Sequence, residues 1–299
     1  MAEASALDAT LPDPYALPLD AIDVSDGRLL EQDAWRPWFA RLRAEAPVHY
    51  CAESAFGPYW SITRFEDIKA VDMDHHTFSS EPSIIIGDPP AEFRTKSFIG
   101  PDGPRHDAER KAVQPAVAPR QLANLEALIR SRVAAILDSL PVGERFDWVP
   151  AVSIELTTQM LATLFDFPFE DRHKLPYWSD VATSGAAAGS GRLAESERQR
   201  ILMEMHDYFI DLWQARTANP GNDFISMMVK SQAYAGMSPM EFIGQLNLLI
   251  VGGNDTTRNS ITGGVYALNC FPGEYDKLRA DHSLIPNMVS EIIRWQTPL

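Results

Sequence analysis

The sequence is poor in cysteine, in positive charge and in long apolar runs. Cysteine occurs twice in 299 residues, at Cys51 and Cys270, with no paired, knuckle or redox spacing. That excludes a disulfide-built fold and a cysteine zinc centre, and it suits a reducing compartment, the cytoplasm being the simplest. Lysine and arginine number 26 against 41 aspartates and glutamates, a net charge of −15. No nucleic-acid partner is expected of so acidic a chain, nor an anionic membrane surface. The apolar run Leu248–Val251 is far too short to span a bilayer, so no transmembrane anchor is expected. Residues 1–6 have neither the basic region nor the apolar core of a signal peptide.

Strands are scarce too. Val48–Cys51 and Tyr59–Ile62, joined through Gly57-Pro58, read as a hairpin, and almost nothing after Ile62 reads as strand. The strand–helix alternation of a parallel nucleotide-binding sheet is missing. What remains is helix, with ample core-forming material at 45% hydrophobic residues. Residues 1–30 read as an extended lead-in and 31–299 as a single, mainly α domain. Helices are expected over about 33–46, from Thr63-Arg64-Phe65, and over about 104–117, 119–140, 150–166, 169–183, 194–217, 222–230, 238–268 and 286–297. Ala186–Gly191 reads as a flexible joint. The stretch from His75 to Gly103 is irregular but carries Ile84-Ile85-Ile86 and the cluster from Phe93 to Ile99, and so long a loop in a compact domain is usually functional.

The chain is organised around Leu248-Leu249-Ile250-Val251-Gly252-Gly253-Asn254-Asp255-Thr256-Thr257-Arg258-Asn259. It could be a buried strand followed by a glycine turn that cradles phosphate, or the middle of a long helix capped at Ser238-Pro239. Met240, Ile243, Leu246 and Ile250, then Ile261, Val265 and Leu268, recur at helical spacing, and no Gly-Lys-Ser/Thr follows the glycines. The helix is favoured. It would be roughly 45 Å long, and its central Gly pair should cost about 2 kcal/mol relative to alanines. A ligand lying against the bare backbone would offset that cost. Leu248, Gly252 and Thr256 share one face with Asp255 beside them, and the Thr256 hydroxyl can bend back to the Gly252 carbonyl. An acid and a hydroxyl beside a notch could deliver protons to a small bound molecule; a core helix with a packing notch is the plainer alternative.

Two further pairs stand out. His106 and Arg110 are four apart on one helix, two potential cations suited to an anion such as a ligand carboxylate, or else a solvated face. Glu291 and Arg294, three apart among apolar neighbours, suggest a buried structural pair. The histidines show no metal-ligand spacing.

In this order the three signals resemble the bacterial, soluble cytochrome P-450 family of haem-thiolate monooxygenases, over almost all of the chain. Gly253-Asn254-Asp255-Thr256 matches its Gly-x-Asp/Glu-Thr motif on a long central helix, His106 and Arg110 match its haem-propionate cations, and Glu291 with Arg294 matches its Glu-x-x-Arg. The words Val-Gly-Gly-Asn-Asp-Thr-Thr-Arg-Asn and Ser-Phe-Ile-Gly-Pro-Asp look like the subgroup that hydroxylates terminal carbons of alkanes and fatty acids; a subgroup acting on steroid side chains shares part of the first.

The resemblance implies the P-450 fold, haem b, O2, and electrons from NAD(P)H through a ferredoxin reductase and a ferredoxin. It gives Asp255 and Thr256 the handling of protons, and Gly252 and Gly253 the room for oxygen. Leu248, Val251, Ile84, Ile85, Ile86, Phe93 and Phe98 would line a channel for an apolar small molecule. The family's iron ligand is a cysteine in a Phe-x-x-Gly-x-x-x-Cys loop well after Glu-x-x-Arg. Neither Cys51 nor Cys270 has such a loop around it, so that ligand is expected beyond Leu299 and the chain reads as the front part of an enzyme. A non-catalytic helical fragment is the reading from another class.

Overall fold

The computed structural model describes residues 10–82, 84–87, 96–183 and 193–298. They fall into two compact units. One holds 10–82, 84–87 and 99–106; the other holds 96–98, 107–183 and 193–298. Phe93 and the Ala186–Gly191 joint lie outside the described residues.

The first unit contains α1 (Arg28–Glu31), α2 (Trp35–Glu45), the antiparallel hairpin β1 (Val48–Cys51) and β2 (Tyr59–Ile62), and α3 (Phe65–Met73). The hairpin pairs Val48 with Ile62 and Cys51 with Tyr59, and the chain reverses at Ser54–Gly57, where the Gly57 N–H donates to the Ser54 carbonyl at 3.2 Å. The extended lead-in does not hold for its described part. Leu19–Ala21 is a 3-10 turn, and Ile22 and Leu29 are buried with Trp38 and Leu42 in a small core. The stretch lacks helical periodicity because it is held tertiarily. Arg41 donates to the carbonyl of Leu17 at 2.7 Å, and the Tyr59 hydroxyl donates to Asp23 at 2.7 Å while accepting the Val24 N–H at 2.9 Å. Burial and the neighbouring Asp23 push the Tyr59 phenol up to about 12.

The helix α4 (Arg105–Val113) leads into the second unit, which continues with α5 (Pro119–Asp138), α6 (Glu155–Leu164), α7 (Lys174–Thr183), α8 (Glu195–Ala218), α9 (Phe224–Lys230), α10 (Pro239–Cys270), α11 (Pro272–Ala280) and α12 (Ile285–Gln296). The element expected over 150–166 begins as a π-helical turn, Val149–Ile154, and becomes α only at Glu155. The helix expected over 169–183 is broken into a 3-10 turn and α7. Restarting at Lys174 keeps Pro176, which has no N–H to donate, inside a first turn. Helix α11 was not expected from periodicity, although Pro272 sits at its first position.

The main core joins Leu161, Phe165, Leu175, Trp178, Met205, Phe209, Ile225 and Ile250, with α10 packed against α6, α7, α8, α11, α12 and the π turn. Among the described residues no helix is long and apolar enough to cross a membrane.

Candidate active site

Helix α10 runs unbroken through the glycines, which excludes the phosphate-turn reading of Leu248–Gly253. Its start is written in the sequence: Ser238 accepts from the Glu241 N–H, Glu241 reaches back to the Ser238 N–H at 3.0 Å, and Pro239 occupies the first position.

The two central glycines do different work. A methyl group on Gly253 would lie 2.8 Å from Cδ2 of the buried Leu161, so this glycine lets α6 approach. Gly252 has nothing within 4 Å of such a methyl and is exposed, leaving a bare strip of backbone beside open space. The Thr256 hydroxyl donates to the Gly252 carbonyl at 2.8 Å, the local bond its spacing predicts.

Asp255 does not face that strip. Its carboxylate accepts from Arg258 at 2.7 Å, from the Asn254 amide at 3.1 Å and from the Ser179 hydroxyl of α7 at 3.3 Å. Arg258 reaches on to Asp180 at 3.3 Å. Burial pushes the Asp255 carboxyl above the ordinary carboxylate range; Arg258 opposes that rise and Asp180 adds to it. Asn254 is 0% exposed, and the Thr157 hydroxyl lies 2.8 Å from its Oδ1. A polar chain therefore runs from Thr157 on α6 through Asn254 and Asp255 to Ser179 and Arg258. The Arg258 partnership was open to detection from the i,i+3 spacing. Thr157 and Ser179 left no local signal, because the fold alone brings α6 and α7 to α10.

The remaining sequence-predicted residues are placed as follows. Leu248 and Val251 are partly buried on α10. Phe98 packs against the main core, with its N–H donating to Gln245 at 3.1 Å. Ile84, Ile85 and Ile86 are exposed and belong to the first unit. His106 and Arg110 both lie on α4, the histidine partly buried and the arginine exposed. Glu291 and Arg294 form the expected pair at 2.6 Å, but their side chains are 60% and 69% exposed, so the expected burial does not hold. It is the other face of α12 that meets α10, with Ile292 against Gly264 and Gln296 against Gly263.

Cofactor fit differs across the site. The open strip at Gly252 leaves bare backbone against which a flat group could lie. The cysteines do not suit an iron thiolate: Cys51 is buried on β1 with its thiol on the Glu53 carbonyl, and Cys270 is the last residue of α10. Among the described residues no cluster of His, Cys, Asp and Glu could hold a metal ion.

No family model matches the chain. It is 30% identical over 289 residues to a linalool 8-monooxygenase of Pseudomonas putida, covering 93% of this chain and 71% of that protein. It is 29% identical over 303 residues to a methyl-branched lipid omega-hydroxylase of Mycobacterium tuberculosis, covering 96% and 70%. Among solved structures, cytochrome P450-153 from Novosphingobium aromaticivorans superposes with a TM-score of 0.85 at 46% identity, over 93% of this chain and 70% of that one.

Proposed function

The chain belongs to the cytochrome P450 monooxygenases, and from that premise we propose that it hydroxylates the terminal carbon of a medium-chain alkane or fatty acid. The observation that carries the proposal is the open backbone strip at Gly252, flanked by the Thr256 hydroxyl and by Leu248 and Val251. The similarity to a methyl-branched lipid omega-hydroxylase supports the choice of reaction.

Bound haem b supplies the iron chemistry that splits O2, one atom entering a C–H bond and the other leaving as water. His106 and Arg110 would hold its propionates by charge-assisted hydrogen bonds. Neither cysteine of this chain is placed to serve as a thiolate ligand to its iron. Electrons would come from NAD(P)H through a ferredoxin reductase and a ferredoxin.

The chain's own part on the α10 side is to manage protons. Thr256 holds one at Oγ1, committed to the Gly252 carbonyl at rest and free to turn outward once that bond opens. Asp255, with its raised pKa, binds a proton at a higher pH than a solvated carboxyl. To pass it on, Asp255 must loosen its bond to Arg258, so proton supply is gated by that ion pair. The apolar side chains bind the hydrocarbon at about 0.8 kcal/mol per buried CH₂. Primary C–H bonds are stronger than secondary ones, so attack at the chain end requires a narrow channel that presents only the last carbon.

The test is to give the haem-loaded enzyme, with its redox partners, a chain-length series of alkanes and fatty acids beside a sterol, and to assign product positions by mass spectrometry. Mainly terminal alcohol is expected. Mostly subterminal products would overturn the narrow channel, and preference for the sterol would move the assignment to a steroid side chain.

A further inference from the structure

About two turns before the glycine strip, a short piece of irregular chain crosses α10 at contact distance. A methyl group on Gly244 would run into the Lys96 carbonyl oxygen, closer than any real side chain sits, so only glycine lets residues 96–98 lie on the helix there. The neighbouring Gln245, 1% exposed, uses both ends of its amide. Its Oε1 accepts the Phe98 N–H at 3.1 Å and its Nε2 donates to the buried Glu109 carboxylate on α4 at 3.0 Å. Glu109 is held in turn, since the Tyr234 hydroxyl donates to its backbone carbonyl at 3.0 Å.

A buried primary amide with one acceptor and one donor committed in opposite directions fixes its own rotamer, because flipping it would set like against like on both sides. The amide thereby fixes the distance between α4 and the 96–98 segment. Phe98 belongs to that segment, and its backbone N–H is the group Gln245 holds, with Leu248 three residues further along α10.

We propose that Gln245 and Glu109 form a positioning latch that sets residues 96–98, and through Phe98 the shape of the substrate-facing wall, without either of them touching substrate. The role of the wall rests on the hydroxylase reading above; the latch itself does not.

The experiment therefore has two arms. In the first, amide hydrogen exchange of residues 96–98 is measured on the chain without turnover, for wild type, Gln245→Met, Gln245→Glu and the double variant Glu109→Gln with Gln245→Glu. Losing the amide should speed exchange at Phe98 on the order of tenfold, the scale of one hydrogen bond, while amides in α7 and α8 stay protected. Gln245→Glu alone keeps an acceptor for Phe98 but sets two carboxylates together, and should loosen the segment as well. The double variant swaps the amide and the carboxylate between the two positions. The α4 side chain then donates to the α10 side chain, and wild-type protection should return. Unchanged exchange in both single variants, or no rescue in the double, would overturn the latch. The double variant keeps the test decisive should Gln245→Met unfold.

In the second arm the same variants, haem-loaded, are compared for product position with a linear substrate. A shift of product position in the single variants and its return in the double is expected. Rescue of exchange with unaltered product positions throughout would sink the claim about the wall and leave the latch standing.

Discussion

Replacing Arg258 with methionine removes the cation nearest Asp255 while keeping an apolar stem of similar length. The Arg258 and Asp255 side chains are 17% and 12% exposed, and their 2.7 Å contact is the shortest that Asp255 makes. Removing one member of a buried pair costs about 3–5 kcal/mol. Here the loss should be about 2–3 kcal/mol at neutral pH, below that range, because hydrogen bonds to an ionised group each contribute about 1.5–3 kcal/mol and Ser179 and Asn254 keep donating. The sign of the pH dependence follows from the direction of the Asp255 shift. Burial lifts its folded pKa above the unfolded value of about 3.9, so between the two the folded state keeps a proton that the unfolded state has lost. Stability falls as pH rises through that window. Without Arg258 the window extends upward, so the penalty should be small below about pH 3.9, where both states are protonated, and full only above the new folded pKa. Melts followed by circular dichroism across pH would read this as a midpoint lowered by roughly 5–10 °C at neutral pH, at about 2–4 °C per kcal/mol. Asp255→Asn added to Arg258→Met should recover part of the loss, since no charge is then left buried. A penalty that is the same at every pH, or that is deepened by Asp255→Asn, would refute the electrostatic reasoning and leave only lost packing.

Two further outcomes follow from the same helix. Gly252→Ala should stabilise by about 0.5–1 kcal/mol through helix propensity, because nothing blocks its methyl, yet weaken ligand binding at the strip. Gly253→Ala should instead destabilise by about 1–3 kcal/mol by overpacking against Leu161; equal effects in thermal melts and ligand titrations would contradict the assignment of the two glycines. In the haem-loaded enzyme, Thr256→Ala should consume NAD(P)H while releasing peroxide in place of product, and Asp255→Asn should chiefly slow turnover, since an amide does not relay protons as a carboxylate does. Wild-type rate and coupling in both would make this part of α10 purely structural.

The long helix was legible because each of its signals is local: the Ser238–Glu241 box, Pro239 and an apolar rhythm that runs across the glycines. The hairpin was legible for the same reason, with two short strands close in sequence and a glycine, Gly57, closing the turn between them. What the sequence hid is tertiary. Ile22 and Leu29 look like isolated apolar residues in a Pro- and Asp-rich lead, and side chains distant in sequence, among them Arg41, His49 and Tyr59, tie that lead down. Apolar neighbours suggested burial for Glu291 and Arg294, but Ile292 and Gln296 meet α10 and turn the charged pair outward. The direction of Asp255 was equally hidden, since spacing places a residue on a helix face without saying which neighbour waits there.

The π turn at Val149–Ile154 also bears on how this protein tolerates change in length. A π turn holds one residue more than the α geometry around it, so it is where a helix absorbs an insertion without losing phase downstream. Ser153 inside the turn meets the Thr262 hydroxyl at 2.9 Å, and Thr157 just after it meets Asn254 at 2.8 Å. Losing one residue here would swing everything upstream by about 100° relative to α6, one residue's share of a helical turn, and only one of those two contacts could survive. The surplus residue is what lets the turn and α6 address α10 at two heights at once.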